Sequence, residues 1–155
     1  MKLLHRSESA CTFLIGKRER DVFLGLLRRY PVLSGAHYRS RGGAKSDAAR
    51  ANQELLEEAL AEQQRENRRN LEEMLAQPAR FQESEFGYTF TLSAAELEWM
   101  LQILNDIRVG SWVQLGEPNT NLPGFPQVNE QNIEVAWALE IAGNFEQSLL
   151  DAAGA

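Results

Sequence analysis

The residues best suited to chemistry are Asn105, Asp106 and Arg108, which place polar and charged groups in a strongly apolar segment. Burying an ion without a partner is costly, so these groups must either be paired or line a cleft. One hypothesis is an enzyme whose polar pocket has these three side chains as its floor and Trp112 as a wall. We favour the alternative, in which Asp106 and Arg108 bond to neighbouring loops and fix the packing of a helix.

A second candidate set is basic and lies in the first third of the chain, at Arg28, Arg29, Tyr38, Arg39, Arg41 and Lys45. Cationic groups near an aromatic ring suit contacts with phosphate or RNA, which supports the hypothesis of a nucleic-acid-associated transcriptional regulator. Residues 34–46 contain three glycines and no periodicity, so we expect a mobile loop there. The segment Gly42–Ser46 lacks the Gly-Lys-Ser/Thr order of a phosphate-binding loop.

Other kinds of site find little support in the residue types. His5, His37 and Cys11 are scattered, and no pair of them has the spacing of a metal-binding motif. Neither histidine neighbours an orienting acid, and no Gly-x-Ser-x-Gly elbow occurs. We therefore predict no catalytic residues, no metal and no cofactor.

Length and cysteine content predict one domain in a reducing compartment. The chain has 155 residues, of which 43% are apolar, enough for one core spanning residues 1–155. Its one cysteine cannot form an intramolecular disulfide, and the first residues lack the apolar run of a secretory signal. No apolar run approaches the roughly 20 residues that cross a bilayer. We expect a cytoplasmic protein with no membrane contact.

Charge is divided unevenly along the chain. The net charge of -6 argues against generic nucleic-acid binding. Residues 1–50 carry 11 Lys and Arg against 4 Asp and Glu, a net of +7, which leaves -13 for residues 51–155. The division indicates either a basic contact surface or electrostatic packing of the first third on the rest or on another copy. We favour the second interpretation, which includes a homodimer or other homo-oligomer.

The elements that would position these residues begin with two predicted strands, Lys2–Arg6 and Ala10–Ile15. An amphipathic helix follows from near Lys17 and is stopped by Pro31. Ser46 or Asp47 then caps a long helix that runs to about Gln77. Its apolar residues lie at both ends, so we expect the polar middle, Gln63–Asn70, to cross solvent or face a partner's polar surface.

The second half begins with an extended region, Phe81–Leu92, in which Ser84–Gly87 can turn a hairpin. The capping box Ser93–Glu96 opens the most apolar helix, which we expect at the centre of the fold. After an irregular connection over residues 117–128, Asn129 caps a last helix over Glu130–Ala152. That helix repeats Ile133, Trp137, Ile141 and Phe145 every four residues, and we expect all three tryptophans in the core.

These elements predict a mainly α fold of the α+β class, with about four helices around a central apolar helix and a small β-sheet or hairpin near the N-terminus. The segment Leu97–Arg108, followed by Leu115-Gly116, resembles the signature helix of a bacterial family of uncharacterised domains best represented in actinobacteria. In that family a Leu-Asn-Asp-Leu-Arg run leads to a Leu-Gly pair. Here Gly110–Gln114 replaces a segment that usually includes Gly-Thr-Arg, which puts any role of that arginine in doubt.

The resemblance implies no enzymatic activity. Genes of the family tend to lie beside the gene for the Clp protease adaptor, which implies an interaction or regulatory role. Together with the missing catalytic constellation, this predicts a non-enzymatic protein-interaction or regulatory domain with an unidentified protein partner.

Overall fold

The computed structural model describes residues 1–33, 47–118 and 127–154. Within these ranges the chain forms four helices and a four-stranded sheet, which confirms the predicted mainly α, α+β architecture. In chain order the elements are β1 (Lys2–Arg6), β2 (Ala10–Ile15), α1 (Lys17–Leu27), α2 (Asp47–Leu75), β3 (Gln82–Ser84), β4 (Gly87–Ser93), α3 (Ala94–Gln114) and α4 (Ile133–Ala153).

The sheet consists of two hairpins joined side by side in the order β1-β2-β4-β3, with every neighbouring pair antiparallel. Phe13 of β2 lies opposite Phe90 of β4, and alternate residues of both strands face the core. On this inner face the Cys11 thiol is buried and donates to the Ala152 carbonyl oxygen of α4 at 3.8 Å. The two predicted N-terminal strands and the predicted hairpin within Phe81–Leu92 are confirmed.

Helix α1 joins the sheet to the last helix through aromatic contacts. The Phe23 ring lies 6.0 Å from the Phe90 ring and 4.8 Å from the Phe145 ring, measured between centroids. Phe23, Leu26 and Leu27 are fully buried, as their helical spacing predicts. The core therefore lies between the inner face of the sheet and the helices α1, α3 and α4.

Helix α3 is the central apolar helix that the sequence predicts. Its capping box is confirmed, because the Ser93 hydroxyl accepts from the Glu96 backbone N–H and the Glu96 carboxylate accepts from the Ser93 N–H. Burial acts to raise the pKa of Glu96, but the Arg80 guanidinium and the Ser93 N–H outweigh it and hold that pKa below its usual range. At the other end Leu115 is the C-cap, and Gly116 follows with a φ of 85°.

Helix α4 packs along α3, the most extensive contact between two helices of the described chain. Its buried face carries Ala138, Ala142, Phe145 and Leu149, and the two alanines allow a close approach. The predicted start of this helix is wrong by about one turn, since Asn132 is the N-cap. The Asn129 side chain instead accepts from the backbone N–H groups of Gln131 and Asn132, and so closes the preceding turn.

Helix α2 has 29 residues and is about 43 Å long at 1.5 Å per residue. Asn67, Leu71 and Met74 in its C-terminal half are buried, whereas Leu55 and Leu56 in its N-terminal half are 64% and 50% exposed. No described helix is long and apolar enough to cross a membrane. The predicted mobile loop at 34–46 and most of the predicted irregular connection lie outside the described residues.

Candidate functional site

Asp106 lies where α2 crosses α3 and the segment that follows α1. Its Oδ2 accepts from the Gln64 side-chain amide at 2.9 Å, and its Oδ1 accepts from the Val32 backbone N–H at 3.4 Å. The same Gln64 amide donates to the Leu33 carbonyl oxygen at 3.0 Å. Asp106 therefore ties three segments of the chain together through one carboxylate.

Asn67 extends these contacts along the same face of α2. It is only 2% exposed, donates to the Gln102 side-chain oxygen of α3 at 3.0 Å and accepts from the Gln63 amide at 3.1 Å. We refer to Tyr30, Gln64, Asn67, Gln102 and Asp106 as the polar junction. The expectation that residues 63–70 cross solvent is thus wrong for the inner side of this helix, because its amides meet polar groups of α3.

Tyr30 completes the polar junction as a buried phenol. Burial raises the pKa of Tyr30 to about 12, the negative charge of Asp106 adds to the effect, and the hydrogen-bonding Asn67 side chain opposes it. The Tyr30 hydroxyl is therefore neutral at physiological pH. In this state it is a hydrogen-bonding group of the core and not a base.

Asn105 and Arg108 face the opposite side of α3. Two residues along a helix are about 200° apart around its axis, so Asp106 and Arg108 point in nearly opposite directions. The Arg108 guanidinium donates to the Asn105 side-chain oxygen at 2.9 Å and lies 2.7 Å from the Glu146 carboxylate of α4. The structure thus brings Asn105 and Arg108 together and places Asp106 apart from them.

Trp112, the proposed wall of the pocket, is half-buried and donates from its indole N–H to the Pro118 carbonyl oxygen at 3.1 Å. This contact closes the C-terminal end of α3 onto the chain that follows it. The four candidates Asn105, Asp106, Arg108 and Trp112 therefore have three separate sets of partners. Asp106 bonds to the segment after α1, as the alternative expects, whereas Arg108 bonds within α3 and to helix α4 and not to a loop.

Two described cavities lie away from these residues. One of about 330 Å³ is lined by Thr12, Gln77, Ala79, Arg80, Gln82, Thr89, Phe90 and Thr91. A second of about 240 Å³ is lined by Arg6, Ser7, Glu8, Ala10, Cys11, Leu92, Ala94, Leu97 and Ala153. Among residues 1–33, 47–118 and 127–154, no three His, Cys, Asp or Glu side chains lie together so that they could hold a metal ion.

The basic candidate set is described only in part. Arg28 is exposed, and Arg29 lies 4.0 Å from the Glu134 carboxylate at the start of α4. Tyr38, Arg39, Arg41 and Lys45 lie outside the described residues. The structure therefore shows one member of the set on the surface and a second beside an acidic residue.

Ile133 and Trp137 are surface residues that the sequence placed in the core. They are 53% and 41% exposed, so the prediction of a core tryptophan is wrong at position 137, while Trp99 and Trp112 are half-buried. A repeat of four residues advances about 40° beyond a full helical turn at each step. The series from Ile133 to Phe145 therefore winds from the solvent side to the core, a drift that the spacing itself could have revealed.

Comparison of the chain with known protein families, curated proteins and solved structures finds no match. The resemblance to the actinobacterial family stays a prediction. The residues that carry it form the central helix α3 and its C-terminal cap, where Gly116 adopts a left-handed backbone conformation. The Leu115-Gly116 pair is therefore explained in this chain by its role in ending helix α3.

Proposed function

We propose that this chain is a non-enzymatic protein-interaction or regulatory domain that works in the cytoplasm. The observation that carries the proposal is the exposure of large apolar side chains on the N-terminal parts of two helices, Leu55 and Leu56 on α2 and Ile133 and Trp137 on α4. Exposed apolar groups mark protein contacts when they lie together, as Ile133 and Trp137 do one helical turn apart on α4, and tryptophan contributes more binding energy than most residues. These exposed side chains therefore favour binding of a partner protein as the function of this surface.

The polar candidate residues give the enzyme hypothesis less support. Asp106 accepts two hydrogen bonds from its own chain, and Arg108 is held by Asn105 and Glu146. Because these two side chains point to opposite sides of α3, a substrate between them would require the helix to be rebuilt. Their contacts are better explained by stability than by catalysis.

The nucleic-acid hypothesis is supported by the exposure of Arg28, but the net charge of -6 opposes it. Self-association remains part of the proposal, since a second copy could cover the same apolar side chains. The family resemblance adds one candidate context for the partner, the adaptor of the Clp protease.

Affinity co-purification of the tagged full chain, after nuclease treatment and at physiological salt, tests the proposal. The matched variant replaces the four exposed residues by glutamine: Leu55→Gln, Leu56→Gln, Ile133→Gln and Trp137→Gln. We expect a stoichiometric protein partner, or a second copy detected by light scattering, with the wild-type chain only. Recovery of the wild-type chain as a lone monomer would overturn the proposal, and so would a partner that the variant retains in full.

A further inference from the structure

The solvent-facing side of α4 changes character along its length. The exposed positions Ile133, Trp137, Glu140, Asn144, Gln147 and Asp151 follow one another at alternating spacings of four and three residues, so they share one face. The first two are large and apolar, and the other four are polar or acidic. An exposed apolar pair therefore occupies the N-terminal end of an otherwise hydrophilic face.

The surroundings of this apolar pair are acidic. Trp137 lies three residues from both Glu134 and Glu140, which are exposed and share its side of the helix. Between residues 127 and 154 the chain has five acidic residues and no Lys, Arg or His. The nearest described cation to Glu134 is Arg29 at 4.0 Å, and the Glu134 side chain is 87% exposed, so solvent screens that pair.

We propose that Ile133, Glu134, Trp137 and Glu140, here called the α4 anchor, are the docking site for a basic amphipathic helix of a partner protein. The proposal rests on the proposed function and names the surface and the chemistry of its partner. Apolar side chains of the partner pack on Ile133 and Trp137, and its Lys or Arg residues lie beside Glu134 and Glu140. Charge complementarity of this kind sets the partner and its orientation, and a cation can also pack on the Trp137 ring.

The leucines of α2 fit this partner less well. Leu55 and Leu56 are adjacent, so they point about 100° apart and do not form one face. Charge does not separate the two surfaces, because Glu54, Glu57 and Glu58 flank these leucines, so the choice rests on the shared face of Ile133 and Trp137. An anionic membrane is also a poor occupant of the α4 anchor, because its surface potential repels the surrounding carboxylates.

Three synthetic helical peptides of about 18 residues, roughly five turns, serve as probes. They share one leucine face and carry lysine, glutamate or serine at all other positions. Calorimetry at about 0.15 M salt measures their affinity for the full-length chain. We expect the lysine peptide to bind at least about 10-fold more tightly than the other two, because only it pairs with both glutamates.

Two matched double variants locate the site. We expect the double variant Ile133→Gln with Trp137→Gln to lower the affinity for the lysine peptide by about 10-fold or more. The double variant Leu55→Gln with Leu56→Gln should change that affinity by less than about 2-fold. Glu134→Gln with Glu140→Gln should weaken it by about 3-fold to 10-fold and flatten its salt dependence. Circular dichroism of each variant shows whether the fold is intact.

Several outcomes would overturn the α4 anchor as defined here. Equal affinity for all three peptides would remove its charge selectivity. Loss of binding in the α2 variant alone would move the site to Leu55 and Leu56, and a dimer that the α4 variant dissolves would make the occupant a second copy. Tight binding to phosphatidylcholine vesicles would make the occupant a membrane. A partner recovered by co-purification when the lysine peptide fails would leave the proposed function standing and the α4 anchor rejected.

Discussion

Asn67 of α2 is a polar residue that is buried, and Trp137 of α4 is an apolar residue that is exposed. The amide is 2% exposed and the indole is 41% exposed. Asn67 can be buried because Gln102 and Gln63 satisfy its donor and acceptor, whereas Trp137 lies on the side of α4 that faces away from Ala138, Ala142 and Phe145. The comparison shows that available partners, and not the polarity of a single residue, decide burial.

The two regions also differ in what they contribute. The polar junction holds α2 and the segment after α1 against α3, and a group that loses its partner there keeps a desolvation cost. Ile133, Glu134 and Glu140 of the α4 anchor contribute little to the fold because they retain much of their contact with water, whereas Trp137, at 41% exposed, also packs on the fold. Substitutions should therefore damage stability at the first region and partner binding at the second.

The largest expected effect on stability is that of Asp106→Ala. It leaves the Val32 N–H without its acceptor and the Gln64 amide with only the Leu33 carbonyl oxygen, and we expect the free energy of unfolding to fall by about 1 to 3 kcal/mol. Urea denaturation followed by circular dichroism measures the change. The neighbouring variant Asn105→Ala, at an exposed position, should cost less than about 1 kcal/mol. Equal losses in both variants would contradict a special role of the polar junction.

Asn67→Ala should lower the free energy of unfolding by about 1 to 3 kcal/mol, because the buried Asn67 amide loses its hydrogen bond to Gln102 and the buried Tyr30 hydroxyl loses its partner. Asn70→Ala is the matched control, since it makes the same change of helix propensity one turn along α2. Its effect should stay within about 0.5 kcal/mol. If the control is equally destabilised, the loss belongs to the helix and not to the contact with α3.

The raised pKa of Tyr30 leads us to expect a loss of stability at alkaline pH. Its pKa rises from 10.0 in the unfolded chain to about 12 in the folded chain, so between these values only the unfolded chain releases the proton. The free energy of unfolding should therefore fall by about 2 kcal/mol as the pH rises from 10 to 12. Denaturation of wild type and Tyr30→Phe over this range isolates the contribution, since the variant lacks it. Parallel pH profiles would show that Tyr30 titrates normally.

The smallest effect on the free energy of unfolding is expected for the exposed apolar residues Ile133 and Leu55. Ile133→Gln and Leu55→Gln should each change the free energy of unfolding by less than about 0.5 kcal/mol, because both side chains are more than half exposed. Thermal and urea denaturation measure the change. A loss above about 1 kcal/mol at either position would show that the side chain supports the fold, and would narrow the contrast with the polar junction.

Local patterns predicted much of the fold. The strands β1 and β2 have the bounds that their sequence indicated, and the Ser93–Glu96 capping box placed the start of α3. Such signals lie within a few residues of one another, so they need no knowledge of the rest of the chain. The N-cap of α4 was missed because Asn129 does accept from the next backbone N–H groups, as a capping residue would, but it closes a turn there, and Asn132 begins the helix without a side-chain capping bond.

The candidate site was harder to predict because its contacts join distant segments. The sequence indicated that Asp106 needs partners, but nothing in it names Gln64 and Val32 as those partners. The exposure of Trp137 depended on which side of α4 meets α3, a property that the four-residue repeat obscured. The stripe Ala138, Ala142, Phe145 and Leu149 has the spacing of a straight buried face, and would have been the better guide.

The buried thiol of Cys11 can serve as a chemical probe for the opening of the contact between the sheet and the end of α4. The chain has one cysteine, and its sulfur is enclosed between the sheet and the end of α4, where it donates to the Ala152 carbonyl oxygen. Cys11 is 5% exposed beside the cavity of about 240 Å³, so a thiol reagent should modify the folded chain slowly, and lifting of that end of α4 from the sheet should speed the reaction. The rate of alkylation therefore reports how often this end of α4 opens. A slower rate in the presence of a partner bound at the other end of the helix would show that binding there stabilises the whole helix against opening.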